Sequence, residues 1–302
     1  MPSSWPAPGR IAFVFPGSGN PFGDMGRELA LQWPEILRVH DGENAQLASQ
    51  MRVDKFWNGP LTEEVLSDHR ALISGQVCFG TFVSDLAAHF GLKPDAAIGY
   101  SLGESTALIA LRAWRSRDEM LDRLSRSSLF ARDLVGGPDW VAGVVNRSAE
   151  SVRATIGKRK HVYLLISNTP DECVIGGNRG TVAEVVAALG CHWFPLQGVG
   201  TVHCELARPV RRAYRALHRF DTTPPAGVEF YSCAWGRAYV PDRETAADAL
   251  EAQALDTIDF PRVVRAAYDA GVRTFVEVGP GNRERPRKMR TAFQDPADHA
   301  GA

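Results

Sequence analysis

The chain has 302 residues, 44% of them apolar and 23% charged, and its 34 basic and 35 acidic side chains leave a formal net charge of -1. This is the composition of a globular protein with one large or two modest domains, and the balanced charge excludes a chain-wide pull toward nucleic acid or an anionic membrane. Cys78, Cys173, Cys191, Cys204 and Cys233 are scattered, odd in number and never spaced C-x-x-C, which argues against a disulfide framework or a zinc site and for a reducing, cytoplasmic setting. The opening "MPSSWPAPGR" has neither the basic nor the apolar region of a secretion signal, and no run reads as a membrane span. A soluble protein is expected.

In chain order, residues 1–9 read as a Pro- and Ser-rich arm, and "IAFVFPGSG" as a buried strand ending in a glycine turn. Helical spacing follows in "DMGRELALQWPEILRVHDGEN" and "SGQVCFGTFVSDLAAHFG", then a short strand in "KPDAAIGY" and a helix in "GESTALIALRAW". From Trp140 the order is strand "WVAGVVN", helix "SAESVRATIG", strands "HVYLLIS" and "ECVIGG", helix "RGTVAEVVAALG", strand "CHWFPLQ". That β-α-β-β-α-β succession is ferredoxin-like. The chain then returns through helix "RPVRRAYRALHRF", strand "VEFYSCA", helix "PRVVRAAYDAG" and strand "RTFVEVGPG". We therefore expect an α/β fold: a hydrolase-like, parallel-sheet catalytic subdomain from 10–137 and 200–282, a ferredoxin-like insert at 138–199, and a loose tail at 283–302.

Ser101 sits between strand and helix in "AIGYSLGES", flanked two places away by Gly99 and Gly103. A chain that turns at once from strand to helix needs small neighbours, and the turn lifts the serine hydroxyl clear of the sheet. The Leu102 amide, at the helix start, points where an oxyanion would form. A serine needs a base, and histidine is the usual one. Of eight histidines, His40, His69, His89 and His218 fall in or beside helices, His161 and His192 in the insert and His299 in the tail, which leaves His203 in "GVGTVHCEL". The glycine turn "FPGSG" is the natural source of a second oxyanion donor. Its spacing matches neither a phosphate-binding loop nor a dinucleotide fingerprint.

"FVFPGSG…GDMGREL", "LKPDAAIGYSLGES", "ISNTPDECVIGG", "VHCEL" and "FVEVGPG", in that order, resemble the malonyl-CoA:acyl carrier protein transacylases and the acyltransferase domains of polyketide and polyunsaturated fatty acid synthases, over roughly residues 10 to 282. The resemblance implies a ping-pong transfer of a malonyl or related acyl group from CoA to the phosphopantetheine thiol of an acyl carrier protein, beside other synthase domains. No metal or bound cofactor, no nucleic acid and no membrane are implied. It makes Ser101 the nucleophile and His203 the base, pairs the Ser18 amide with that of Leu102 in the oxyanion hole, and places Gln253 where a backbone carbonyl orients the histidine. Asn168 and Val202 would shape the pocket. Arg126, 25 positions after Ser101, would pair with the malonyl carboxylate, with Arg123 one turn away as its rival.

Arg208, Arg212, Arg215 and Arg219 recur at helical spacing just after His203, and a stripe of this kind would receive an acidic carrier. Tyr100 stands where the family usually has histidine, "GTVH" replaces its usual tetrapeptides, and "RERPRKMR" follows the last strand. Two other readings stay open: a serine hydrolase with Asp171 or Glu172 as the acid, and a structural acyltransferase-like domain of a multienzyme impaired in catalysis.

Overall fold

Residues 9–281 are described in the computed structural model of the chain; the tail at 283–302, and the arm apart from Gly9, lie outside them. The chain opens with β1 (Arg10–Phe15). Five short helices follow, α1 (Arg27–Gln32), α2 (Pro34–Glu43), α3 (Leu47–Met51), α4 (Val53–Phe56) and α5 (Glu63–Ser67). The single helix expected over 24–44 is broken at Trp33, because Pro34 has no amide to continue the ladder and instead opens α2. Next come α6 (His69–His89), β2 (Ala96–Gly99), α7 (Leu102–Ala110) and α8 (Arg117–Arg126).

The middle of the chain forms β3 (Trp140–Val145), α9 (Ala149–Ile156), β4 (Val162–Thr169), β5 (Glu172–Asn178), α10 (Arg179–Leu189) and β6 (Trp193–Leu196). After it come a 3-10 segment at Glu205–Val210, α11 (Arg211–Leu217), β7 (Glu229–Ser232), β8 (Arg237–Tyr239), α12 (Arg243–Leu255), β9 (Ile258–Asp259), α13 (Phe260–Asp269) and β10 (Val272–Glu277). Side chains cap most of the longer helices at their starts: Asp68 for α6, Ser116 for α8, Ser148 for α9 and Asp259 for α13. Asp242 and Thr245 form a reciprocal capping box on α12.

The first sheet has the order β10-β1-β2-β7-β8, parallel except for β8. From Ala12 to Phe15, β1 is buried on both faces, as parallel strands under two layers of helix are. Ala12 and Val14 face one core with α13, through Val263, Val264 and Ala267. Phe13 and Phe15 face the other, with Val77 of α6, Leu108 of α7 and Leu250 of α12. The second sheet has the order β6-β3-β5-β4-β9, with β3 through β6 antiparallel. One of its faces packs on α9 and α10 through Val145, Ile175, Val152 and Val185. The other brings Ala142, Leu165 and Val174 into the core shared with the first sheet. The small unit is thus fixed over the carboxyl ends of the parallel strands, where α/β folds place their sites.

One expectation needs correction. α6 is long and apolar enough, by length and composition, to cross a membrane, but 67% of its apolar window is buried inside the protein. Its apolar character serves a central helix that packs against α7, α3 and α5.

Candidate active site

At the end of β2 the backbone turns into α7 within one residue. Ser101 takes φ 56° and ψ -118°, a strained conformation for a residue with a side chain, and the flanking glycines are what the packing demands. A Cβ on Gly99 would stand 2.1 Å from the Glu104 amide nitrogen, and one on Gly103 1.9 Å from the Phe15 carbonyl oxygen. Only hydrogen fits at either position, so β1, β2 and α7 meet more closely than side chains allow.

Glu104, one turn into α7, braces the elbow from beneath. Its carboxyl accepts from the Cys233 amide at 3.2 Å and from the Tyr239 hydroxyl at 3.4 Å, tying α7 to the end of β7 and to β8. It is 3% exposed, and burial without a cation pushes its pKa up to about 8. No motif points to this residue; its one signal in the sequence is a glutamate amid the apolar run "LGESTALIA".

The Ser101 hydroxyl lies 2.7 Å from His203 Nε2, and His203 Nδ1 lies 2.6 Å from the Gln253 carbonyl oxygen. A carbonyl only accepts, so Nδ1 carries the proton and Nε2 is bare, ready to accept from the serine. The ring is held further by the His203 amide, which donates to the Ala254 carbonyl at 2.7 Å. His203 is 4% exposed, and burial lowers its pKa to about 4, against a smaller opposing effect of the Gln253 carbonyl. Gln253 therefore meets the histidine through its backbone, while its side-chain amide donates to the Ser101 carbonyl at 3.3 Å.

The two carboxylates nominated for a hydrolase triad do not reach this histidine. Asp171 accepts from the Thr169 hydroxyl and Glu172 from the Asn168 amide.

Two spaces open beside Ser101. The first is a cavity beneath the serine, lined by Leu72, Met120, Leu124, Phe130, Tyr214 and Phe220 among others, and touched by Ser18, Val202 and Gln253. His69 and His218 also line it, two residues that periodicity gave no reason to place here. Burial lowers the pKa of both, that of His218 to about 4. The second is the cleft between the two sheets, bounded by Ser18, Tyr100, Ser101, Asn168, Val199, Val202 and Phe194. There the Tyr100 hydroxyl donates to Asn168 Oδ1 at 2.6 Å, and Asn168 passes the chain on to Glu172 at 2.9 Å. Tyr100 thereby ties the nucleophile turn to the small unit.

Leu102 and Ser18 both line the cavity that Ser101 opens into. Leu102 is the first residue of α7, and a first-turn amide has no carbonyl within its own helix. Ser18 follows the end of β1, where Asn20 Nδ2 donates to the Gly17 carbonyl at 2.8 Å and shapes the turn.

Arg126 lines neither of these two spaces. Met120 and Leu124 are the residues that α8 buries toward the cavity, and at 100° per residue position 126 lies on the opposite face. Its side chain is 81% exposed and 3.8 Å from Asp122. Arg123 is engaged elsewhere: it pairs with Glu119, donates to the Arg219 carbonyl and lies over the Phe220 ring.

The arginine stripe is also partly spent. Arg215 pairs with Glu244, Asp248 and Glu251, Arg219 with Glu244, and Arg208 stands 3.5 Å from Asp256. Arg212 has no ion pair with another described residue. Arg208 also borders an open depression with Arg153, Arg159 and Lys160 that reaches His203. Among the described residues, no three His, Cys, Asp or Glu side chains are grouped to hold a metal ion.

Comparison with known proteins returns one family pattern, that of the acyl transferase domain, over residues 81–282. The malonyl CoA-acyl carrier protein transacylase of Bacillus subtilis is 26% identical over 282 residues, covering 90% of this chain and 87% of that protein. One polyunsaturated fatty acid synthase polypeptide of Thraustochytrium is 27% identical over 301 residues, and the match covers 90% of this chain but only 10% of that much longer protein. Among solved structures, a malonyl-transacylase in complex with its type II polyketide synthase acyl-carrier protein superposes with a TM-score of 0.79 at 20% identity, covering 94% of this chain and 93% of that one.

Proposed function

The chain belongs to the acyl transferase domain family, and on that premise we propose that it loads a malonyl or related acyl group from CoA onto an acyl carrier protein through an acyl-serine at Ser101. The observation that carries this reading is the unbroken line from the Ser101 hydroxyl through the His203 ring to the Gln253 carbonyl.

His203 Nε2 takes the Ser101 proton as the serine oxygen forms its bond to the thioester carbon. The amides of Leu102 and Ser18 receive the oxyanion. When the carbon–sulfur bond breaks, the same proton returns from His203 to the departing CoA thiolate. In the second half the phosphopantetheine thiol gives its proton to His203 and attacks the acyl-serine, and the serine oxygen leaves with that proton. A carbonyl rather than a carboxylate orients the histidine. That suffices for thioester chemistry, because a thiolate is a better leaving group than an amine and needs less help from a strongly basic imidazole.

The cleft past Asn168 and Val202 is the way in for the pantetheine arm, and Asn168, holding Tyr100, keeps its wall in register. The carrier would meet Arg208 and Arg212, the two stripe members least engaged by strong ion pairs. Support for a carrier comes from the relatives named above.

The test is an initial-rate matrix of acyl-CoA against phosphopantetheinylated carrier, with released free acid measured in parallel. Parallel double-reciprocal lines with little free acid are expected. Intersecting lines, or free acid as the main product at saturating carrier, would refute the reading in favour of direct transfer or hydrolysis.

A further inference from the structure

We propose that Phe194 is the docking point for the apolar middle of the pantetheine arm, the dimethyl-bearing pantoyl segment that CoA and a phosphopantetheinylated carrier share. The inference rests on the acyl-transfer reading above and adds to it a residue that recognises both thiol substrates.

Side chains alternate along β6, and its antiparallel register with β3 sets Trp193 opposite Val145 and Phe194 opposite Val144. Trp193 and Val145 join the core under α9 and α10. Val144 and Leu196 turn the other way, into the core shared with the first sheet. Phe194 therefore belongs to the inner face of the small sheet, with Ala142, Leu165 and Val174, none of which is more than 3% exposed. Phe194 itself is 58% exposed. β6 is the edge strand of its sheet, so the ring stands at the margin of the packed layer. A single exposed ring is ordinary on an outer surface; this one borders the cleft that holds Ser101 and His203.

The opposite wall closes nearby. A Cβ on Gly19 would stand 3.5 Å from the Gln197 carbonyl oxygen and 3.7 Å from Val199, so the turn after β1 packs on the segment that leaves β6. A thioester held at Ser101 trails its cysteamine and β-alanine amides outward, and the pantoyl segment with its paired methyl groups follows. Methyl groups laid on an aromatic ring remove apolar surface from water on both sides. The two half-reactions use one nucleophile and two different thiols, CoA and the carrier, and the arm is the part these have in common. A contact to the arm serves both halves without reading the acyl group.

The experiment follows self-acylation of the full chain by quenched flow and intact-protein mass spectrometry. The thioesters are malonyl-CoA, malonyl-pantetheine and malonyl-N-acetylcysteamine, the last of which lacks the pantoyl segment. Phe194→Thr, which suits a strand, should raise the half-saturating concentration of the CoA and pantetheine thioesters alike, by at least about fivefold. Their limiting rates, and the second-order rate with the N-acetylcysteamine thioester, should stay within twofold. Phe194→Leu, which keeps an apolar cover, should restore the wild-type values. Phe90→Ser, which removes a ring 66% exposed and outside the cleft lining, should change none of them. Equal losses with all three thioesters would make Phe194 a structural support of the cleft and overturn the inference. A loss confined to malonyl-CoA would assign the ring to the nucleotide end and overturn it too. No loss with any thioester would also overturn it, and a lowered Tm or altered oligomeric state in Phe194→Thr would then assign the ring to this chain or a second copy. No adduct on the wild type from any thioester would overturn the acyl-transfer reading and this inference with it.

Discussion

Glu104 gives the protein a measurable dependence of stability on pH. In the unfolded chain its carboxyl ionises near 4.5; in the folded protein burial raises that to about 8. The folded state therefore holds a proton that the unfolded state has lost throughout this interval. The resulting stability is present at low pH and disappears as pH rises through 8. Integrating the linkage between pH 6 and pH 8.5 gives a loss of about 2.5 kcal/mol, a large share of a typical domain's stability. Glu104→Gln removes the titration and keeps an acceptor for Cys233 and Tyr239. The assay is urea unfolding of both proteins at pH 6, 7 and 8.5. The wild type should lose stability relative to Glu104→Gln by about 2.5 kcal/mol across the range. Parallel pH profiles would show that the glutamate is already ionised in the folded state and refute the reasoning.

The remaining predictions act at separate places. His203 and His218 bind protons in the unfolded chain below pH 6.5 but in the folded protein only near pH 4. Each stabilises by up to about 3 kcal/mol above pH 6.5, lost as pH falls toward 4; since Glu104 opposes them above 4.5, the rise between pH 4.5 and 6.5 should be steeper in Glu104→Gln, as urea unfolding will show. Gly103→Ala, whose Cβ would meet the Phe15 carbonyl oxygen at 1.9 Å, should cost at least about 2 kcal/mol in thermal or urea unfolding; a neutral result would deny the close approach of β1 and α7. Arg215→Ala, which removes the contacts to Glu244 and Asp248, should destabilise by no more than about 1 kcal/mol and by less in high salt. Arg212→Glu should slow transfer to the carrier at least fivefold and leave self-acylation by acyl-CoA unchanged; equal slowing of both steps would remove Arg212 from the carrier surface.

Much of the architecture was legible because its signals are short and local. Apolar runs bounded by glycine give β1 and β2, and a change of period near Trp140 marks the small unit. The serine turn was legible for the same reason: the two glycines answer a steric demand that the structure expresses as 2.1 Å and 1.9 Å approaches.

What escaped the reading depends on three-dimensional phase. Counting 25 residues from Ser101 reaches Arg126 but does not say which face of α8 it occupies, and the buried pair Met120 and Leu124 turns it outward. The basic stripe after His203 looked free because its acidic partners stand on α12, whose "DRETAADALEAQAL" start signal, an Asp with Thr three residues on, went unread. His69 and His218 sit on helices whose spacing is indifferent to a histidine, and only the meeting of α6 with the segment after α11 brings both to one cavity.

The most direct test of the account is whether Ser101 carries the acyl group. Wild-type protein and Ser101→Ala are mixed briefly with acyl-CoA, digested and mapped by mass spectrometry, and the loaded wild type is then chased with phosphopantetheinylated carrier. The account predicts one adduct, on the peptide containing Ser101, absent from Ser101→Ala and discharged to the carrier. An adduct on another residue, or carrier acylation undiminished in Ser101→Ala, would contradict it.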